Sequence, residues 1–223
     1  MNSSITLDDI VLPSSTHKST LIFLHGLGDT GSGWCQTLRK IIPKHTKLIC
    51  PTAPEMIVKL FSAKPMPAWY NVLSLNRWDD DDTENMHKNF NVVMDIIQSE
   101  VKNGIPVEKI MIGGFSQGGV MSYYVALASK FTLGGAVMLS CWVPMHAEFS
   151  SRKDLYVKNK STKMFVGHGT SDERIQLSLM ADSVNLVKDL GFDISTHLYD
   201  GMGHSKCEQE LQDLHQFISD ILN

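Results

Sequence analysis

Short apolar runs alternate with helical periodicities along almost the whole chain. Residues 20–25 (TLIFLH), 47–51, 108–114, 133–140, 163–167 and 193–199 are brief runs rich in aliphatic and β-branched residues, and they predict strands. Residues 5–12 add a candidate leading edge strand. Between these runs, residues 32–42, 83–103, 117–130, 175–190 and 205–222 carry helical spacing. In 83–103, Phe90, Val93, Met94, Ile97 and Val101 fall on one face, and Asn103-Gly104 with Pro106 beyond marks the stop. In the last helix Leu211, Leu214, Phe217, Ile218 and Ile221 form the stripe, and Ser205 with Glu208 three residues later fits a capping box.

Strands without polar alternation, interleaved with helices, predict an α/β fold with a mainly parallel central sheet and helices on both faces. A chain of 223 residues suits one such domain, spanning 1–223. In open sheets of this type, active sites gather beyond the carboxyl ends of the strands. One connection is too long for its class: residues 52–82 are far above the usual 4 to 6 residues. They hold Met56, Leu60, Phe61, Met66, Trp69, Tyr70 and Trp78, too many large apolar groups for a solvated linker. A packed loop lining a hydrophobic substrate cleft is expected there.

Composition narrows the function classes. The chain is 43% hydrophobic and 20% charged, with no apolar run long enough to span a bilayer. A net charge of −4 argues against nucleic acid as partner. Cys35, Cys50, Cys141 and Cys207 are far apart in sequence, without CxxC spacing, and predict free thiols in a reducing, cytoplasmic setting. The first twelve residues carry Asp8 and Asp9 and no basic region, so no secretory signal is expected. The acidic run 79–82, just before a helix start, lacks the spacing and glycine of a calcium loop and reads as a solvated turn.

The chemistry-bearing stretch is Gly114-Phe115-Ser116-Gln117-Gly118, at the exit of a predicted strand and the entry of a predicted helix. A sharp strand-to-helix turn that presents a serine needs small flanking residues, and this context is what turns the bare motif into a candidate nucleophile. Serine needs a base. His204 stands in the loop after the last strand, before the last helix. Asp172 stands just after the strand ending near residue 167, with Glu173 as the fallback acid. The order Ser116, Asp172, His204 is the order of α/β-hydrolases. His25 and His168 also end strands, each followed by glycine, and a structural role is expected for both. An oxyanion hole needs two backbone donors. Gln117 N–H is one, and Leu27 N–H, in the glycine-rich loop LHGLGD, is the other.

At this point the chain resembles the acyl-protein thioesterases and the related lysophospholipase-like carboxylesterases. The matching pieces are LIFLHGLGDTG (21–31), CPTAP (50–54), MPAWYNV (66–72), IMIGGFSQGGVMS (110–122), LSCWVP (139–144), HGTSDE (168–173) and GMGHSKCEQEL (201–211). The resemblance implies an α/β-hydrolase fold without a separate cap domain, a Ser-His-Asp mechanism with no cofactor or metal, and substrates with an acyl chain. These are S-palmitoylated proteins, lysophospholipids or simple esters. It implies Ser116, Asp172 and His204 as catalytic residues, Leu27 and Gln117 as oxyanion donors, and Met66, Trp69, Tyr70 and Trp142 as substrate-binding residues. Glu173-Arg174-Ile175-Gln176 departs from the thioesterase pattern and leans toward the lysophospholipase-like branch. Protein depalmitoylation is the leading function, lysophospholipase or short-chain esterase activity the alternative, and a catalytically silent acyl-binding module a distant third. Transient contact with a membrane surface, and a weak homodimer through the apolar mouth, are the further partner expectations.

Overall fold

The computed structural model describes residues 4–73, 81–152 and 159–223. Among these residues seven strands form one sheet, in the order β1-β3-β2-β6-β7-β8-β9. They are β1 (Thr6–Val11), β2 (Ser19–Leu24), β3 (Thr46–Thr52), β6 (Ile110–Phe115), β7 (Gly135–Leu139), β8 (Lys163–Gly169) and β9 (Ile194–Tyr199). Only β1 is antiparallel, pairing with β3 at the edge; the remaining neighbours are parallel. The long connection after β3 carries a two-stranded ribbon, β4 (Glu55–Met56) with β5 (Met66–Pro67), where the sequence predicts little regular structure. Trp78 lies outside the described residues.

The period of two along each strand divides the interior into two cores. Leu21 and Phe23 of β2, Met111 of β6 and Val137 of β7 face one side. There they meet Trp34 and Leu38 of α1 (Gly31–Leu38) and Leu214 and Ile218 of α6 (Glu208–Leu222). Ile22, Leu24, Ile112 and Met138 face the other side. They pack against α2 (Thr83–Lys102), α3 (Gln117–Ala128) and α5 (Leu177–Asp189) through residues such as Val93, Ile97, Val120 and Val187. Burial on both faces is why these strands read as unbroken apolar runs. Helix α3 is buried nearly all round, so it shows no amphipathic stripe. A short helix α4 (His146–Ser151) follows β7.

Helix ends follow their local chemistry. The α2 helix closes as predicted: Gly104 takes φ +92°, its N–H donates to Val101, and the Ile105 N–H reaches Glu100. At its start Asp82 caps the Asn85 amide and also accepts from Asn71 N at 2.8 Å. Asp81 accepts from the Met145 amide at 2.6 Å. The described half of the acidic run is therefore a pair of anchors, not a solvated turn; positions 79 and 80 lie outside the described residues. Helix α1 ends at Leu38, short of the predicted 42, in two turns whose amides return to the Leu38 carbonyl. Helix α6 begins at Glu208, not at 205. Its cap is Cys207, whose Sγ accepts from the Glu210 amide at 3.5 Å, so the Ser205–Glu208 capping box does not form.

That shifted start buries Glu210 completely. Neither carboxyl oxygen has a hydrogen-bond partner among the described residues, and a methyl group on Gly167 would come within 2.6 Å of Oε1. Burial pushes its pKa from an ordinary value near 4.5 up to about 8, against the pull of Lys206 and with help from Asp213. A carboxyl that keeps its proton to higher pH when folded contributes stability fully below its unfolded pKa and loses it as pH rises toward 8. We expect the thermal midpoint of the wild type to fall between pH 5 and pH 9 more than that of Glu210→Gln. The two should converge near pH 4, in a calorimetric series.

Candidate functional site

The sheet order places the site. From β2 the chain runs outward to β3 and then crosses to β6 on the other side of β2. Beyond the carboxyl ends of β2 and β6 lies the point where strand order reverses, the usual crevice for ligands. Leu24 pairs with Gly114, so the loop after β2 and the turn after β6 are neighbours.

That turn is held by close backbone approach. A Cβ on Gly118 would sit 2.1 Å from the Leu24 carbonyl oxygen, and one on Gly114 2.3 Å from the Gly118 carbonyl carbon. With α3 lying this close, the chain must leave β6 and enter the helix within one residue. Ser116 takes φ 53°, ψ −119°, a conformation that costs a non-glycine residue roughly 1–3 kcal/mol. Its amide donates to the Leu139 carbonyl at 2.8 Å, and its own carbonyl accepts from Val120 N at 3.0 Å.

The structure brings the three distant residues together. His204 Nε2 lies 2.9 Å from Ser116 Oγ, and Nδ1 lies 2.8 Å from Asp172 Oδ2. The other carboxylate oxygen, Oδ1, accepts from the amides of Arg174 at 2.9 Å and Ile175 at 3.0 Å. Burial alone would raise the Asp172 pKa. The His204 hydrogen bond, with the Ile175 and Arg174 amides, outweighs it and holds the carboxyl below its ordinary value. An ionised acceptor here orients the imidazole with Nε2 toward the hydroxyl. Such a chain can take the serine proton as the oxygen attacks a carbonyl, and stabilise the imidazolium that forms. Glu173, the fallback acid, is exposed at the cavity rim and takes no part in this chain.

His25 and His168 are fully buried. His168 Nε2 lies 3.0 Å from the Ile175 carbonyl, and His25 bridges Gly26 and Ala53. Burial lowers both imidazole pKa values, which suits neutral rings. The amide of Gln117 is the first of α3 and has no helical acceptor. The Leu27 amide likewise has no acceptor among the described residues.

A cavity of about 520 Å³ opens beside Ser116 and His204. Its walls are apolar: Leu27, Trp34, Phe61, Met66, Phe115 and Ile175. Asp29, Glu173, Arg174 and Lys206 contribute charge to its lining. Of the four expected substrate-binding residues, Met66 alone lines it. Trp69, Tyr70 and Trp142 are corrected to core positions, on the α2/α3 side of the sheet. The reason is visible in their bonds: Trp69 N donates to Gln117 Oε1 at 2.8 Å, its indole Nε1 donates to the His25 carbonyl at 2.8 Å, and Gln117 Nε2 donates to the Tyr70 carbonyl at 2.7 Å. Those bonds turn the loop inward. The wall residues Trp34 and Phe115 were not anticipated. Trp34 sits between Phe23 and Phe115, with Lys206 Nζ 4.9 Å from its ring centroid. No local motif signals that role, because the cavity face of α1 is set by tertiary packing.

The family model for phospholipases and carboxylesterases matches residues 6–222. Acyl-protein thioesterase 1 of Cryptococcus neoformans var. neoformans serotype D is 34% identical over 230 residues, covering 95% of this chain and 96% of that protein. Acyl-protein thioesterase 1 of Neurospora crassa is 33% identical over 219 residues, covering 92% and 88%. Among solved structures, acyl-protein thioesterase 2 of Zea mays matches with a TM-score of 0.87 at 28% identity, over 99% of this chain and 100% of that one. Arabidopsis thaliana SOBER1 matches with a TM-score of 0.84 at 26% identity, over 92% and 100%. The sheet and its helices are thus the α/β-hydrolase fold.

The close approach at Gly118 generates a stability prediction. Gly118→Ala should cost on the order of 3 kcal/mol or more, roughly 10 °C in thermal midpoint, because the obstructing atom is backbone. Gly104→Ala, where a Cβ meets nothing within 4 Å, should cost about 1 kcal/mol from backbone strain alone. Thermal denaturation of both variants measures the contrast.

Proposed function

This chain belongs to the phospholipase/carboxylesterase family, and we propose that it hydrolyses acyl thioesters, removing palmitoyl groups from S-acylated proteins. The observation that carries the reading is the unbroken Asp172–His204–Ser116 hydrogen-bond chain at the mouth of an apolar cavity. In this reading Ser116 Oγ attacks the thioester carbonyl while His204 Nε2 takes its proton, and Asp172 holds the imidazole. The amides of Leu27 and Gln117 receive the oxyanion. The thiolate leaves with little need of a proton, an acyl-enzyme forms on Ser116, and water activated by His204 releases the fatty acid. The relatives named as acyl-protein thioesterases support the substrate class.

The acyl chain would enter between Leu27, Trp34, Phe61 and Met66. Exposed Ile57, Leu60 and Phe61, on the connection from β4 to β5, suit brief contact with the lipid surface from which that chain comes. The free thiols, three of them buried, suit a cytoplasmic setting.

A lysophospholipid is the second reading. Arg174 and Lys206, exposed on the segments that carry Asp172 and His204, favour it because they would meet a phosphate on the leaving-group side. Comparing kcat/KM for a palmitoyl-cysteine peptide, lysophosphatidylcholine and a short-chain ester decides between them. The peptide should be fastest. A faster lysolipid would move the enzyme to the second reading. Ser116→Ala should lose at least about a thousandfold in turnover on every substrate and all labelling by a fluorophosphonate. Retained labelling in that variant would place the nucleophile elsewhere.

A further inference from the structure

The two amides assigned to the oxyanion are each half of a peptide plane. In a trans peptide the C=O and N–H point in opposite directions, so fixing one aims the other. The Gln117 N–H shares its plane with the Ser116 carbonyl, which is held by Val120 N at 3.0 Å in the first turn of α3. The Leu27 N–H shares its plane with the Gly26 carbonyl, and no helix holds that one. It is held by the His25 ring, Nδ1 to O at 2.7 Å, and by the Asp29 amide at 3.2 Å.

The state of the His25 ring follows from its other contact. Nε2 accepts from the Ala53 amide at 3.0 Å, so Nε2 carries no proton and Nδ1–H is the donor to Gly26. Full burial keeps the ring neutral, which this pattern requires. The His25 carbonyl in turn accepts from the Trp69 indole, and the Trp69 amide donates to the Gln117 side chain. The Trp69 carbonyl accepts from Asn89 Nδ2. One buried residue therefore joins the loop bearing Leu27 to the residue bearing the second donor. On the far side of Leu27, the Gly28 amide donates to Pro67 at 2.8 Å.

We propose that His25 is the positioning residue of the Leu27 oxyanion donor, and that Trp69, bonded to His25 and to the Gln117 side chain, holds the two donors in a fixed mutual geometry. The proposal rests on reading the Leu27 and Gln117 amides as that hole. A histidine that merely filled space would behave differently under substitution. An asparagine amide falls near the imidazole Nδ1 and can keep the donor to Gly26. A glutamine amide falls near Nε2 and can keep the partner of Ala53 while losing that donor.

The test compares an ester with its thiono analogue, in which sulfur replaces the carbonyl oxygen and accepts hydrogen bonds poorly. Wild type should prefer the oxygen ester by about a hundredfold or more. His25→Gln should lower kcat on the oxygen ester about tenfold, leave KM within about twofold, and barely change the thiono rate, so the preference falls about tenfold. His25→Asn should keep the preference within about threefold of wild type. Parallel losses on both substrates in both variants, or a wild-type preference in His25→Gln, would overturn the positioning role. Should His25→Gln not fold, Trp69→Phe decides. It keeps the amide bond to Gln117 but deletes the indole bond to the His25 carbonyl, together with part of the ring packed against His25, and should lower the preference by about threefold or more; an unchanged preference overturns the proposal. A wild type that hydrolyses both compounds equally would instead overturn the underlying reading of the hole.

Discussion

Helix α3 lies closer to the sheet than a side chain permits, and the rest of the site depends on that contact. The Leu24 carbonyl and the Gly118 backbone touch where any other residue would put a Cβ. Because α3 cannot retreat, the chain turns from β6 into the helix at a single strained residue, Ser116. The strain is held by packing on both faces of the sheet, with β2, β6 and α3 all buried. The same contact brings the loop after β2 alongside the helix N-terminus. The hydroxyl and the two amides assigned to the oxyanion are in this sense consequences of one approach distance.

Charge and shape are arranged around that turn in a consistent order. Asp172 is fully covered and saturated with donors, so its ionised form is stabilised where His204 needs it. Phe115 and Trp34 make an aromatic wall that runs from His204 back to Phe23 in the core. Charged side chains stand at the rim, where solvent reaches them. An apolar cavity with a partly buried proton chain at its mouth suits a long acyl group whose carbonyl must stop at Ser116.

Much of this was legible in the sequence, for reasons that differ by element. The central strands announce themselves because both faces are buried, which leaves apolar runs such as TLIFL. The triad is legible because each member follows a strand, and parallel topology gathers strand ends. The helix limits at 38 and 208 are not, because they rest on a tertiary register and on a cysteine acting as cap. The connection at 52–82 misled in a specific way. Its aromatic content shows that the loop is packed, but composition does not say whether Trp69 faces the cavity or the core. Only its hydrogen bonds to His25 and Gln117 decide that. Trp34 and Phe115 form cavity wall through packing between α1 and β6, which no spacing rule encodes.

The most direct test is a crystal structure of the enzyme after reaction with a long-chain alkyl fluorophosphonate. The account predicts phosphorus bonded to Ser116 Oγ and the phosphoryl oxygen about 3 Å from the amides of both Leu27 and Gln117. The alkyl chain should lie between Leu27, Trp34, Phe61 and Met66. A phosphoryl oxygen turned away from both amides, or a chain lying outside that cavity, would contradict it.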